Sequence, residues 1–203
     1  DMYELNQYCR GLHPKLKFCL LGHSMGASLS QQYITLYGHS IDAVVLSGSP
    51  GFKAKRPSLF GHWAMRFESR RLKPWQSSSF MQRAVFGSAN ARFEEANSTG
   101  YEWLSRDREV VRKYVEDDKC GFVLAIGSLT DMFAGVAAAQ DTVSLEQIPK
   151  ELPVYIFAGE EDPIHGKRKD LDRMVSAYRN HGIHKIEYRY YGGGRHEMLN
   201  EIN

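Results

Sequence analysis

A chain of 203 residues with 42% hydrophobic content carries enough apolar surface for a globular core, yet no apolar run approaches the ~20 residues of a membrane span. Its formal net charge is only +2, its basic residues are dispersed and it has no nucleic-acid motif, so a nucleic-acid partner is not expected. Three cysteines (Cys9, Cys19 and Cys120), an odd number without paired spacing, favour a reducing, cytoplasmic setting over a disulfide scaffold.

The first element is a helix carrying Tyr3, Leu5, Tyr8 and Cys9. After it, Lys17-Phe18-Cys19-Leu20-Leu21 reads as a β-strand running straight into Gly22-His23-Ser24-Met25-Gly26. A serine on a sharp strand-to-helix turn is held in a strained backbone conformation with its hydroxyl exposed above the sheet. Glycines two residues to either side let neighbouring backbone approach without a Cβ clash. The pentapeptide alone is a weak signal, since a chain of this length meets it by chance about once in ten. Its context strengthens it: Ala27 to Ile34 reads as a helix ending near Gly38. Gly38-His39-Ser40 lacks the trailing glycine. Ser47-Gly48-Ser49-Pro50-Gly51 lacks the leading one and carries a helix-hostile proline. Ser24 is therefore the candidate nucleophile, the alternative being an ordinary tight turn.

Ile41 to Ser47 is a second buried strand. From about Gly51 to Thr130 the β-like runs stop, and the text becomes helical, aromatic and mixed in charge. A stretch that long needs structure of its own. Phe60, Trp63, Ala64 and Phe67 recur at helical spacing. That face either packs onto the main domain or serves as an acyl-chain gate or membrane-contacting lid. Phe122 to Ile126 and Met132, Phe133 and Val136 are expected to form a helix or helix pair closing this cap. The clusters Lys53-Lys55-Arg56, Arg70-Arg71 and Lys167-Arg168-Lys169 read as solvated surface; the first two could instead meet anionic head groups. The organisation is thus a first core part over 1–50, a helical cap over 51–130 and a second core part over 131–203.

Leu152 to Gly159 is another buried strand, opening into Glu160-Glu161-Asp162-Pro163. Leu171, Met174, Val175 and Tyr178 then mark one face of a helix, and Lys185 to Tyr191 a further strand ending in Gly192-Gly193-Gly194-Arg195-His196-Glu197. A right-handed strand-helix-strand crossover places Asp162 and His196 on adjacent strands at the sheet edge from which Ser24 projects. A hydroxyl needs a base, and that base an orienting anion, before it attacks a carbonyl. Asp162 is preferred to Glu160 and Glu161 because Pro163 holds it extended and stiffens its loop. His196 is preferred to His181 and His184, which flank a helix end, and to His165, which is too near Asp162 to reach Ser24. His13, His23, His39 and His62 show no metal-ligand spacing with the cysteines, and the chemistry calls for no metal or cofactor.

On Gly22-His23-Ser24-Met25-Gly26, Gly159-Glu160-Glu161-Asp162-Pro163, Gly194-Arg195-His196-Glu197-Met198-Leu199-Asn200-Glu201 and the segment from Trp103 to Phe122, the chain resembles α/β-hydrolases of the monoacylglycerol lipase and lysophospholipase branch. The resemblance implies a mostly parallel sheet flanked by helices with a helical cap. It also implies a serine esterase acting on acyl esters of glycerol or lysophospholipids, with Met25 N–H in the oxyanion hole. Spacing and periodicity alone support a serine hydrolase and no more. Relatives have strands before the nucleophile strand, a loop there that gives a second oxyanion donor, and a helix after the histidine. Those parts are expected to be missing from this chain, leaving the nucleophile strand as an apolar edge. A thioesterase, carboxylesterase or aminopeptidase on the same scaffold, or a non-catalytic binding protein, are the rival expectations.

Overall fold

Four short strands, β1 (Cys19–His23), β2 (Ala43–Ser47), β3 (Val154–Gly159) and β4 (Ile186–Tyr191), form a wholly parallel sheet in the order β1-β2-β3-β4. The computed structural model from which this is read describes residues 1–52, 59–166 and 168–202, the side chains of 59–62 excepted. Lys53, Lys55, Arg56 and Lys167 and the side chains of Phe60 and His62, singled out above, lie outside the described residues.

Parallel neighbours need a crossover, and two of the three are helices of the expected kind. Helix α2 (Met25–Tyr37) returns β1 to β2, and α8 (Lys169–Asn180) returns β3 to β4. The register pairs Leu20 with Val44, Leu46 with Ile156 and Ile156 with Tyr188. Between the helices and the central strands, Ile34, Val44, Leu46, Ile156, Leu171 and Met174 are completely buried. The outer strands are more exposed than the central two, as the expected apolar edge at β1 implies. Leu21 of β1 is 52% exposed, because β1 is an edge of the described sheet; β4, the other edge, exposes Tyr188.

Helix α1 (Met2–Leu12) forms as expected but buries no residue. It is tied down by polar contacts instead. Arg10 donates to Ser40 O (2.7 Å) and pairs with Asp42 (3.0 Å), while Tyr3 stacks on Tyr37 at 4.4 Å. The Phe18 backbone N–H, followed by the Lys17 ammonium, holds the Asp42 carboxyl below its ordinary range.

The third crossover, from β2 to β3, is the long one, and it carries the cap. It contains α3 (Leu59–Arg71), α4 (Ser79–Phe86), α5 (Arg108–Glu116), α6 (Ile126–Ala139) and α7 (Thr142–Glu146). The starts of α4, α5 and α7 are set by side-chain caps: Ser78, Asp107 and Asp141 accept from Met81 N, Glu109 N and Val143 N. Glu68 is buried beside the first of these. It accepts from Ser78 Oγ (2.6 Å) and twice from the Arg71 guanidinium (2.9 Å each), whose fork holds its carboxyl below the ordinary range. Ala64, Met81, Ile126 and Leu129 form a small core under the cap.

Where the sequence suggests a helix from Phe122, the chain is irregular until Ala125, and one helix then runs through Ala139. The reason is local. Ala125 bridges Ser77 in antiparallel fashion, and Ser77 Oγ donates to Val123 O (2.9 Å), so the segment is held open. Helix α6 also crosses residue 130 and lies along α2, where a Cβ on Gly135 would stand 3.2 Å from Gln32 Oε1. No helix among the described residues is long and apolar enough to cross a membrane.

Candidate active site

Ser24 sits at the junction of β1 and α2 with φ 54° and ψ −116°, a left-handed conformation that costs a non-glycine residue energy. The turn is tight because Gly22 and Gly26 almost touch: a Cβ on Gly22 would stand 2.4 Å from Gly26 O and 2.3 Å from Ser30 Oγ. The second glycine differs from the expectation. A Cβ on Gly26 would meet nothing within 4 Å among the described residues, so the close approach is relieved on the Gly22 side.

The three sequence-selected polar residues meet at the ends of β1, β3 and β4. Ser24 Oγ lies 2.8 Å from His196 Nε2, and His196 Nδ1 lies 2.9 Å from Asp162 Oδ2. A carboxylate can only accept, so the imidazole carries its proton on Nδ1 and offers a bare Nε2 to the hydroxyl. Both His196 and Asp162 are buried. The other Asp162 oxygen accepts from Ile164 N (2.8 Å), a turn closing over Pro163 that fixes the carboxylate. The neighbouring acids point elsewhere: Glu160 pairs with Arg168, and Glu161 with Arg92.

The competing histidines have other work. His165 is buried in the Asp162 loop, with Nε2 against Gly159 O (2.8 Å) and Nδ1 accepting from Arg168 N (2.9 Å). His181 ends α8 with Nδ1 on Ala177 O (2.7 Å), and His184 is exposed. The acid and base loops interlock at Gly159, where a Cβ would stand 2.2 Å from both Gly194 O and Arg195 O.

Several residues that hold the imidazole were not singled out in the sequence. The His196 ring lies between Trp103 (4.9 Å between centroids) and His23 (4.8 Å), over Gly48. Gly48 has φ +56°, and a Cβ there would reach 2.9 Å from His196 Cε1 and 3.0 Å from His23 Cε1. His23 in turn spans Ser47 Oγ (3.1 Å, through Nδ1) and Glu197 Oε1 (3.3 Å, through Nε2). The His23 hydrogen bond holds the Glu197 carboxyl below its ordinary 4.5, against the opposing effect of burial.

A cap segment is stitched to the same loop. His196 N donates to Trp103 O (3.3 Å) and Glu197 N to Leu104 O (2.7 Å). Arg195 donates to the Glu102 and Ser105 carbonyls (2.6 and 3.1 Å). Buried Glu201 accepts from Arg106 Nε (2.7 Å) and from the N–H groups of Arg106 and Arg195 (3.0 and 2.9 Å). The only signal for this in the sequence was that both segments belonged to the quoted motifs.

A cavity of about 660 Å³ stands over Ser24 and His196. Its walls are Phe86 and Arg83 of α4, Tyr101, Trp103 and Leu104, Tyr114 of α5, and Phe122 to Leu124. The arrangement sets a hydroxyl, hydrogen-bonded to a buried imidazole, against a cavity with several aromatic walls.

A family model described as serine aminopeptidase, S33, matches residues 1–203. The chain belongs to this family. No curated protein matches it in sequence. Among solved structures, this S33 family member is similar to a highly thermostable carboxyl esterase from Bacillus coagulans in complex with glycerol (TM-score 0.83, 21% identity, 98% of this chain and 64% of that one). It is also similar to a lipase in an open form (TM-score 0.81, 25% identity, 98% and 64%). A third is the monoacylglycerol lipase of Paleococcus ferrophilus (TM-score 0.67, 20% identity, 98% and 68%). The fold is the α/β-hydrolase fold, and the chain spans 64% of the length of the first two structures.

Proposed function

We propose that this S33 family member is a serine hydrolase that cleaves carboxylic esters, those of acylglycerols or lysophospholipids, through an acyl-enzyme. The observation that carries the reading is the unbroken chain from Ser24 Oγ through His196 to Asp162, at 2.8 and 2.9 Å. In this mechanism His196 Nε2 takes the hydroxyl proton as Ser24 attacks the ester carbonyl, and Asp162 stabilises the imidazolium. Met25 N–H, at the first position of α2, has no partner within its helix and serves as an oxyanion donor. His196 then protonates the departing alcohol and later activates the water that frees the acid.

The aromatic cavity supports an acyl-chain substrate, and the similar structure at 25% identity is named a lipase. The cap supports collection of such substrates at a lipid surface, since Trp63 and Phe67 stack at 5.6 Å while 61% and 51% exposed. Two experiments on the protein in its full natural length test the reading. A fluorophosphonate probe should label Ser24 and fail to label Ser24→Ala. A panel of monoacylglycerol, lysophospholipid, acyl thioester and amino-acid amide should show fastest turnover on the first two. Faster cleavage of the amide would move the assignment to an aminopeptidase, and absence of labelling to a binding protein.

A further inference from the structure

We propose that Glu197, tethered by His23, is a second carboxylate serving the His196 base. The pair seats the imidazole and favours the imidazolium formed as Ser24 loses its proton. The inference deepens the hydrolase reading and rests on it for that proton transfer. His23 and Glu197 are positioning residues, since each acts through His196.

The two are the chain neighbours of the residues that must meet. His23 directly precedes Ser24, and Glu197 directly follows His196. Their side chains bond to one another, His23 Nε2 to Glu197 Oε1 at 3.3 Å, beside the 2.8 Å contact of Ser24 with His196. A carboxylate only accepts, so His23 Nε2 carries a proton and donates it. Nδ1 of the same ring meets Ser47 Oγ at 3.1 Å, and Ser47 O accepts from Ser24 N at 2.9 Å. The order hydroxyl, imidazole, carboxylate repeats that of Ser24, His196 and Asp162. Ser47 is completely buried, so this second set has no access to substrate and supports the first.

The two imidazoles pack together. Their centroids are 4.8 Å apart with 47° between the planes, and both rings lie over Gly48. Glu197 is fixed from three sides. Oε1 is on His23, Oε2 accepts from Asn200 Nδ2 (3.0 Å), and its N–H donates to Leu104 O (2.7 Å). The side chains of His23 and Glu197 are only 25% and 24% exposed, so water screens this carboxylate weakly. Two anions therefore flank one base: Asp162 bonds to its Nδ1, and Glu197 acts from the next position along the chain. The electrostatics agree. The His23 hydrogen bond is the main cause that lowers the Glu197 carboxyl, and the charges of His23 and His196 add to it. By linkage, a carboxylate favoured by a cation favours that cation in return.

Other titratable groups around the pair do not replace it. The Tyr114 phenol, from α5, is raised chiefly by burial, and the Glu197 charge adds to that rise. Arg83, Tyr101, Lys119 and Cys120 line the same cavity but form no hydrogen bond with Glu197 among the described residues.

Direct titration of His196 separates this test from catalysis. Isotopically labelled histidines would be followed by NMR against pH in the protein of full natural length carrying Ser24→Ala. His196 is assigned by the resonance missing in His196→Asn. Adding Glu197→Gln should lower the His196 midpoint by about 0.5–1 pH unit. Glu197→Asp, which keeps the charge, should lower it by less than half as much. Glu95→Gln, a cap carboxylate paired with Arg108 and absent from the cavity wall, should leave it in place. With Ser24 restored, the acid limb of kcat/KM on a nitrophenyl butyrate should move in Glu197→Gln as the midpoint does. The reciprocal measurement keeps the native carboxylate: His196→Asn should raise the midpoint of the Glu197 carboxyl. An unmoved His196 midpoint in Glu197→Gln, an equal fall in Glu197→Asp or Glu95→Gln, or an unmoved Glu197 midpoint in His196→Asn overturns the proposal. The titrations need no turnover, so absence of ester cleavage by the unsubstituted protein would sink the hydrolase reading separately.

Discussion

The sheet half and the cap are held together by different means. Nineteen buried hydrophobic residues among those described form one core around the sheet, against four in the cap. The cap compensates with polar joints: the buried Glu68–Arg71–Ser78 cluster, the Ser98–Thr99–Glu102 turn and the Arg106–Glu201 pair. The difference teaches a division of labour. Side chains that must keep hydrogen-bond geometry leave the ends of three parallel strands in the dense half. Side chains that wall the cavity come from the cap, from α4 and α5 and from the irregular stretches 99–104 and 119–124. The joint between halves is made where it matters, with Trp103 to Arg106 bonded along the loop that carries His196.

The sharpest way to break this comparison is at the floor of the cavity. Ser24→Ala should lower ester turnover by on the order of 10⁶ while leaving the thermal midpoint nearly unchanged. Residual turnover near the unmodified rate would move the chemistry away from the sheet. Next come the two cores. Ile156→Ala, in the sheet, should lower the unfolding free energy by about 2–5 kcal/mol. Leu129→Ala, in the cap, should cost about 2–3 kcal/mol, since a small core collapses more readily around a void. Denaturant titration of both variants checks the ranking, and a larger loss from Leu129→Ala would reverse it.

A smaller effect probes the joint. Glu201 touches no reacting atom but positions the loop through Arg106 and Arg195. Glu201→Gln should reduce kcat about tenfold with KM changed less than about threefold, the split expected of a misplaced base. A change confined to KM would make Glu201 part of the chamber instead. The smallest effect lies in pH. Glu197 has a depressed folded value, so its pairing with His23 contributes stability above pH 4.5 that is lost as pH falls through that lower value. Glu197→Gln should therefore flatten the acid limb of the stability profile below pH 4.5 and leave the alkaline limb alone.

Much of the dense half was readable in the sequence because its signals are local. Each of Ser24, Asp162 and His196 follows a strand, and Pro163 singles out one acid among three. Local patterns fail where a residue's neighbour lies far along the chain. Nothing near His23 announces Glu197, 174 positions away, and nothing near Arg195 announces the carbonyls of Glu102 and Ser105. Periodicity also misread Phe122 to Ala125, because a long-range bridge to Ser77 outweighed the apolar pattern. Exposure of Leu21 at the edge of the described sheet was expected from the resemblance, since spacing does not encode strand order.

Gly159 sits where the strand bearing the acid passes beneath the backbone that leads to His196. A hydrogen atom is all the crossing admits, with two carbonyl oxygens 2.2 Å from where a methyl would be. The reach of the imidazole toward the hydroxyl is therefore inherited through a residue with nothing on its α-carbon to vary by degrees. Natural variation can restyle the chamber freely, while this one backbone intersection admits only conservation or loss.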